Sequence, residues 1–458
     1  MGLLGYALSS PGELLLAATA QEASAPVPAL ATPKAKVGLV FSHISPDTPT
    51  WPYKGYDYEA RKKELEAKLR KACGNTDFAA GTAMNAEQAR ELLKQMGEVD
   101  GFVSYPVGIW TGVLDVVTHS GKPVVLVDDL YAGSGEFIGV YAGAVRENLP
   151  VVGVSSSDFQ DVAKAVRLFE AVKGIQNARI LDVADNEIKE ASPIKDATGI
   201  DVQQISFADL DTYYQKADEK EAARWADQWI RGARKVVEPT REEMIKSGKM
   251  HLAISALMKE RTAEAVTIDC LTGFYGGKLN AYPCLSFHQL NNYGLVGACE
   301  ADLNSTVTMI MIRHLASRPG FISDPVFDLP KNQIIYAHCV APNKVYGPKG
   351  VSNPYILRSH AEDGKGAVVQ SLMPVGQVVT TVEANVREKA LVVHTGKTVA
   401  NIDEPKACRT KLATQANVDK ILSNWRWGWH RVTFYGDWRK DVKNLATLMR
   451  FKVYEEDV

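Results

Sequence analysis

Apolar positions along the chain fall into two textures. Up to about residue 330, short unbroken apolar runs alternate with amphipathic helical stretches. Residues 37–41 form one such run, followed by a Lys-, Glu- and Leu-rich helix over Tyr58–Ala72. A second helix is expected over 85–96, with Asn85 as its N-cap, and apolar runs follow at 101–105 and 123–127. Strands that are apolar throughout are buried on both faces, the mark of a parallel sheet covered by helices. This predicts an N-terminal α/β domain over 36–148.

The pattern then restarts. An apolar run at 151–154 leads into one helix over 158–172, strands at 179–183 and 202–205, and two long helices over 217–237 and 241–259. A buried strand at 265–269 and a helix at 304–315 complete a second α/β domain over 149–330. Beyond Pro330 the helical signals fade into short β-rich pieces at 333–338, 367–372, 377–383 and 390–394, separated by turn residues, with one last helix over 437–450. Such spacing predicts a barrel or sandwich over 331–458. The expected fold class is two consecutive Rossmann-like α/β domains followed by a β-rich, barrel-like C-terminal domain.

Composition narrows the function. At 458 residues with 46% hydrophobic and 23% charged positions, the chain is long enough for two or three globular domains. A net charge of −2 gives no electrostatic reason for nucleic acid or an anionic membrane as partner, and a small polar or neutral molecule fits better. None of the six cysteines forms a CxxC pair, which argues against a zinc ribbon or redox motif and leaves them as small buried hydrophobes. Residues 1–35 read as a signal-like or disordered segment with a linker. The apolar run at 14–20 ends in Ala18-Thr-Ala20, like a small-residue cleavage site, but it lacks a positive flank and is too short to span a bilayer. The expectation leans to an exported, periplasmic protein over a cytoplasmic one.

Ligand-type side chains concentrate between Cys270 and Cys339. Glu300 and Asp302 in Gly297-Ala-Cys-Glu-Ala-Asp302 follow a strand, where α/β sheets place their ligands. Asp302 also reads as the cap of the helix that follows, whereas Glu300 favours function. Asp324 ends the apolar Phe321-Ile-Ser-Asp324 and can return to the same cleft. His338, at the end of a strand, is either a core residue or a ligand. His430 lies in Trp425-Arg-Trp-Gly-Trp-His430, where alternating tryptophans, if extended, share one face that either packs or stacks on a sugar ring. Two carboxylates and an imidazole suit a hard or borderline divalent cation.

From Pro283 onward the ordered set of Pro283-Cys-Leu-Ser-Phe-His-Gln-Leu290, Gly297–Asp302, Phe321–Asp324, Tyr336-Ala-His-Cys339, Leu372–Thr380 and His430–Asp437 resembles the L-fucose isomerase-like family, related to the L-arabinose isomerases. The resemblance implies a metal-dependent aldose–ketose isomerase acting on a deoxyhexose or pentose through a cis-enediol. It implies Glu300, Asp324 and His430 as metal ligands, with His338 added by analogy to the arabinose branch, and Mn²⁺ as the ion, Mg²⁺ or Co²⁺ being alternatives. Glu300 is then the carbon-directed base and Asp324 its partner, with the roles exchangeable. Trp427, Trp429 and His288 are candidate sugar contacts. A homo-oligomer, trimer or hexamer, with the site near a subunit interface is also implied. Two alternatives stay open: another metal-dependent transformation (an epimerase, or action on a sulfonated or keto sugar), and a catalytically silent sugar-binding protein.

Overall fold

The computed structural model describes residues 33–458, so the signal-like reading of the N-terminus lies outside the described residues. Strands β1 (Ala35–Ser42), β2 (Thr76–Ala83), β3 (Gly101–Pro106), β4 (Val124–Asp128) and β5 (Val151–Ser155) build a parallel sheet in the order β2-β1-β3-β4-β5. A second parallel sheet uses β6 (Arg179–Val183), β7 (Asp201–Ile205), β9 (Ala265–Ile268) and β10 (Val296–Cys299), in the order β10-β9-β6-β7. The two-residue β8 (Lys235–Val236) joins β13 (Tyr355–Arg358) and β14 (Val368–Ser371) in a small separate sheet.

The last sheet is antiparallel and closes on itself. It comprises β11 (Phe321–Asp328), β12 (Gln333–His338), β15 (Val378–Asn385), β16 (Ala390–Asn401), β17 (Thr410–Gln415) and β18 (Arg431–Tyr435). Their order is β15-β18-β11-β12-β17-β16, the β15–β16 pairing completes the barrel, and β19 (Lys452–Glu455) lies parallel on the outside of β16. The fold is thus two parallel-sheet α/β units followed by a β-barrel. Among the described residues no helix is long and apolar enough to cross a membrane.

Several local expectations are corrected. β11 pairs with β12 and β18, so the barrel sheet begins at Phe321, ahead of the boundary expected at 330, and Asp324 sits on a barrel strand. The apolar start of β11 signals burial on both faces but does not say which sheet receives it. The helix expected over 158–172 is two, Phe159–Val166 and Leu168–Gln176, with Arg167 between them. The helix expected to reach 237 stops at Gly232 and gives way to β8. The edge strand β2 and the helix Ser134–Arg146 carry too little apolar periodicity to be read from sequence.

Candidate functional site

Three strand ends of the barrel meet the loop that leaves β10. The register Ser323↔Arg431 sets Asp324 beside His430, and Asp324↔Ala337 brings the end of β12 alongside. Asp324, His338 and His430 each offer a ligand atom within 4.8 Å of the others. Glu300, on the loop between β10 and the Leu303–Ala316 helix, lines the same cavity of about 260 Å³. Its carboxylate stands outside that tight trio, on the cavity wall. Of the sequence candidates, the structure gathers Glu300, Asp324, His338, His430 and Trp429 around one space.

The two histidines are oriented differently. His430 Nδ1 lies 2.8 Å from Asp302 Oδ2, and a carboxylate can only accept, so the ring donates there and Nε2 is the nitrogen left for a metal once its proton is displaced. Nε2 lies 3.2 Å from Asp324 Oδ1 but makes no hydrogen bond of acceptable geometry. His338 Nδ1 accepts the Cys339 backbone N–H at 2.9 Å, which puts the proton of the neutral ring on Nε2, also buried and unpartnered among the described residues. His430 is therefore the readier metal ligand, and His338 presents a donor toward the same point. Burial lowers the His338 pKa to about 4, keeping it neutral. Burial opposes charge on His430 too, but the Asp302 and Asp324 carboxylates raise it to about 10.

The acids separate electrostatically. Burial raises the Glu300 carboxyl; His430 opposes this and Asp324 adds to it, leaving a net rise. Burial would raise Asp324 as well, but His430 and His338 beside it hold it below its ordinary value. One acid inclined to take up a proton next to one that stays ionised is the pattern of an acid–base pair with divided roles.

Asp302 fills the cap position expected of it, accepting Ser305 N at 3.0 Å and Ser305 Oγ at 2.7 Å, and it anchors His430 with the same carboxylate. Behind it, buried Glu383 lies 3.2 Å from Ser305 Oγ, whose one proton goes to Asp302, and burial, together with Asp302, drives its carboxyl well above the usual range. Neither Glu383 nor His360 and Glu362, which line the cavity, was singled out in the sequence. A glutamate on the inward face of an apolar strand was the available signal for Glu383.

The tryptophan segment is a bent loop and does not extend. Trp427 has φ 51° and Gly428 φ 50°, so the three rings diverge. Trp429 stays at the cavity, 66% exposed. Trp427 turns away, donating Nε1 to Glu388 at 2.7 Å, and Trp425 packs on Phe327. His288 is also removed from the site. It is buried, with Nδ1 against Ala341 O at 2.7 Å and Nε2 against Asn292 Nδ2 at 3.1 Å, a core histidine with both nitrogens engaged. Five of the six cysteines (Cys270, Cys284, Cys299, Cys339 and Cys408) converge on the cavity, although they are scattered in sequence.

No family model matches the chain. It is similar to the sulfoquinovose isomerase of Priestia aryabhattai, 25% identical over 165 residues that cover 35% of each chain. The sulfoquinovose isomerase of Clostridium sp. (strain MSTE9) is 25% identical over 285 residues, 56% of this chain and 59% of that protein. The matched region thus spans from about a third to three-fifths of those relatives' length. Among solved structures, the XylFII molecule covers 61% of this chain and 94% of its own at 15% identity, with a TM-score of 0.16 that carries no argument.

Proposed function

We propose that this chain is a metal-dependent aldose–ketose isomerase acting on a deoxyhexose or pentose. The observation that carries the reading is the meeting of Asp324, His338 and His430 on the cavity that Glu300 lines, with the two acids shifted in opposite directions. Similarity to sulfoquinovose isomerases adds a sugar isomerase as the class of relative.

Asp324 and His430, with Glu300 on the same wall, are the residues to hold a divalent cation, Mn²⁺ by preference. Their oxygen and imidazole donors suit such an ion, and Nε2 of His430 faces Asp324 Oδ1 at 3.2 Å, so the two donors point to one place where an ion would sit. When bound, the ion supplies Lewis-acid polarisation of adjacent sugar oxygens. Glu300, with its raised pKa, takes the proton from C2 and returns it to C1 while the hydroxyl proton of O2 passes to O1, so that aldose passes through an enediol to ketose. His338 donates its Nε2–H to a sugar oxygen, Asp302 holds His430 in place through Nδ1, and Asp324 stays charged beside it. Trp429 offers a flat apolar face to the C–H side of the ring.

A second reading, a sulfonated hexose as substrate, is favoured by the name the relatives carry. Glu300, Asp324 and Glu362 line the described cavity and make its walls acidic, which suits a neutral polyol better than a sulfonate. The experiment is turnover of L-fucose, L-arabinose, D-arabinose and sulfoquinovose with Mn²⁺, followed by NMR. Ketose from a neutral aldose, abolished by EDTA and reduced about 10²- to 10⁴-fold in Glu300→Gln, is expected. Full activity in Glu300→Gln or in the chelated protein would reject the reading, and turnover of sulfoquinovose alone would select the second.

The exposed aromatics Trp110 and Tyr131, at the carboxyl ends of β3 and β4, support a homo-oligomer in which a neighbouring copy covers this apolar rim.

A further inference from the structure

A second cleft lies at the far end of the Leu303–Ala316 helix. At about 1.5 Å per residue this helix is about 20 Å long, so the cleft is well separated from Asp302 and the acid–histidine cavity. It has a volume of about 880 Å³ and is rich in cations, with Lys164, Arg167, Arg313 and Arg318 on its walls. The helix ends at Ser317 in a left-handed conformation (φ 53°), and this turn is followed at once by Arg318.

Arg318 is the unusual member. Its guanidinium lies over the rings of Tyr346 and Trp438, at 5.2 and 5.8 Å from their centroids, which fixes its plane. Nε and Nη1 are buried and make no hydrogen bond among the described residues. The acids of the cleft are committed elsewhere: Glu170 accepts Asn75 N at 3.1 Å and Thr76 Oγ1 at 2.9 Å, and Asp441 accepts Lys164 Nζ at 2.7 Å. Arg313 is spent on Glu264, at 2.5 Å. What remains is a guanidinium held in plane by two rings with no carboxylate partner among the described residues, and the exposed Arg167 at the rim.

We propose that this cleft binds a small anionic metabolite through a phosphate or similar tetrahedral oxyanion, with Arg318 as the anchor and Arg167 completing the charge. A planar guanidinium pairs such an oxyanion through parallel N–H bonds. The volume exceeds what a bare oxyanion fills and falls in the range of small-molecule pockets, so the ligand carries an organic part.

The test titrates the full-length protein with inorganic phosphate and, separately, with glucose 6-phosphate at fixed ionic strength. Calorimetry and tryptophan emission, to which Trp438 against Arg318 contributes, are the readouts. Saturable binding is expected, weakened by about tenfold or more in Arg318→Gln and in Arg167→Gln, and unchanged in the exposed Lys220→Gln. Arg167 is a surface position, so its variant keeps the test informative should Arg318→Gln fold poorly. Equal binding of the two anions overturns the organic part of the proposal, and tighter binding of the sugar phosphate supports it. No saturable binding, or undiminished binding in both arginine variants, overturns it. Loss of oligomer in Arg318→Gln without phosphate binding in the parent overturns it in favour of a carboxylate from a second copy. Neither variant touches the acid–histidine cavity, so the outcome is independent of the isomerase reading.

Discussion

At His430 a proton and a cation compete for one lone pair. Against the opposing effect of burial, Asp302 and Asp324 lift its pKa from 6.5 to about 10, so the ion-free ring is charged at neutral pH. The stability this charge contributes is complete below the ordinary value and is lost as pH rises through the raised one. A metal at Nε2 must displace that proton, so we expect release of about one proton per Mn²⁺ at pH 7 and affinity falling about tenfold for each unit of acidification. Calorimetry in two buffers of different ionisation heat counts the proton. Zero release would remove His430 from the ligand set.

At the level of elements, the loop between Trp425 and His430 is held by the residue that follows it. Buried Arg431 donates to the backbone oxygens of Arg426 at 2.7 Å, Trp427 at 3.2 Å and His430 at 2.8 Å, and pairs with buried Glu456 at 2.7 Å. Glu456 also accepts from His394 at 2.8 Å, and the contacts with His394 and Arg431 outweigh burial to keep its carboxyl below the ordinary value. Glu456→Gln leaves a buried guanidinium short of its counter-charge, and a loss of about 3–5 kcal/mol in urea unfolding is expected. Because the folded carboxyl is depressed, the stability at stake is present above the ordinary carboxylate value and fades as acid protonates it, so parent and variant should converge at low pH. A variant as stable as the parent at pH 7 would show that the pair adds nothing. The loop also marks where sequence reading runs out. Period and apolar runs made the parallel strands other than β2 legible, and among the barrel strands β12, β15 and β16, because burial leaves a local trace. The bend at Trp427 depends on Arg431 gripping carbonyls from inside the barrel, a contact without sequence periodicity. Likewise Glu300, Asp324 and His430 stood out by type and by position at strand ends, whereas the gathering of five cysteines and the burial of Glu383 arise only when distant strands are brought together.

On the scale of the whole molecule, the site is a seam between the second parallel sheet and the barrel, while the first sheet carries its exposed aromatics elsewhere. Trp110 is 73% and Tyr131 81% exposed, an apolar rim that a monomer would leave wet. The double variant Trp110→Ser, Tyr131→Ser is expected to lower the mass measured by light scattering without changing the thermal midpoint of the isolated fold. An unchanged mass would free that rim for another role. Across the seam, Asp302 begins a helix of one unit and holds a histidine of the other. Asparagine starts helices about as well as aspartate, but its amide has one oxygen, taken by the Ser305 N–H, and the nitrogen that replaces Oδ2 cannot accept the imidazole N–H. Asp302→Asn should therefore hold cation weakly and also unfold below the parent temperature at neutral pH, because His430 loses part of its counter-charge, so a change that spoils the chemistry here is felt by the fold as well.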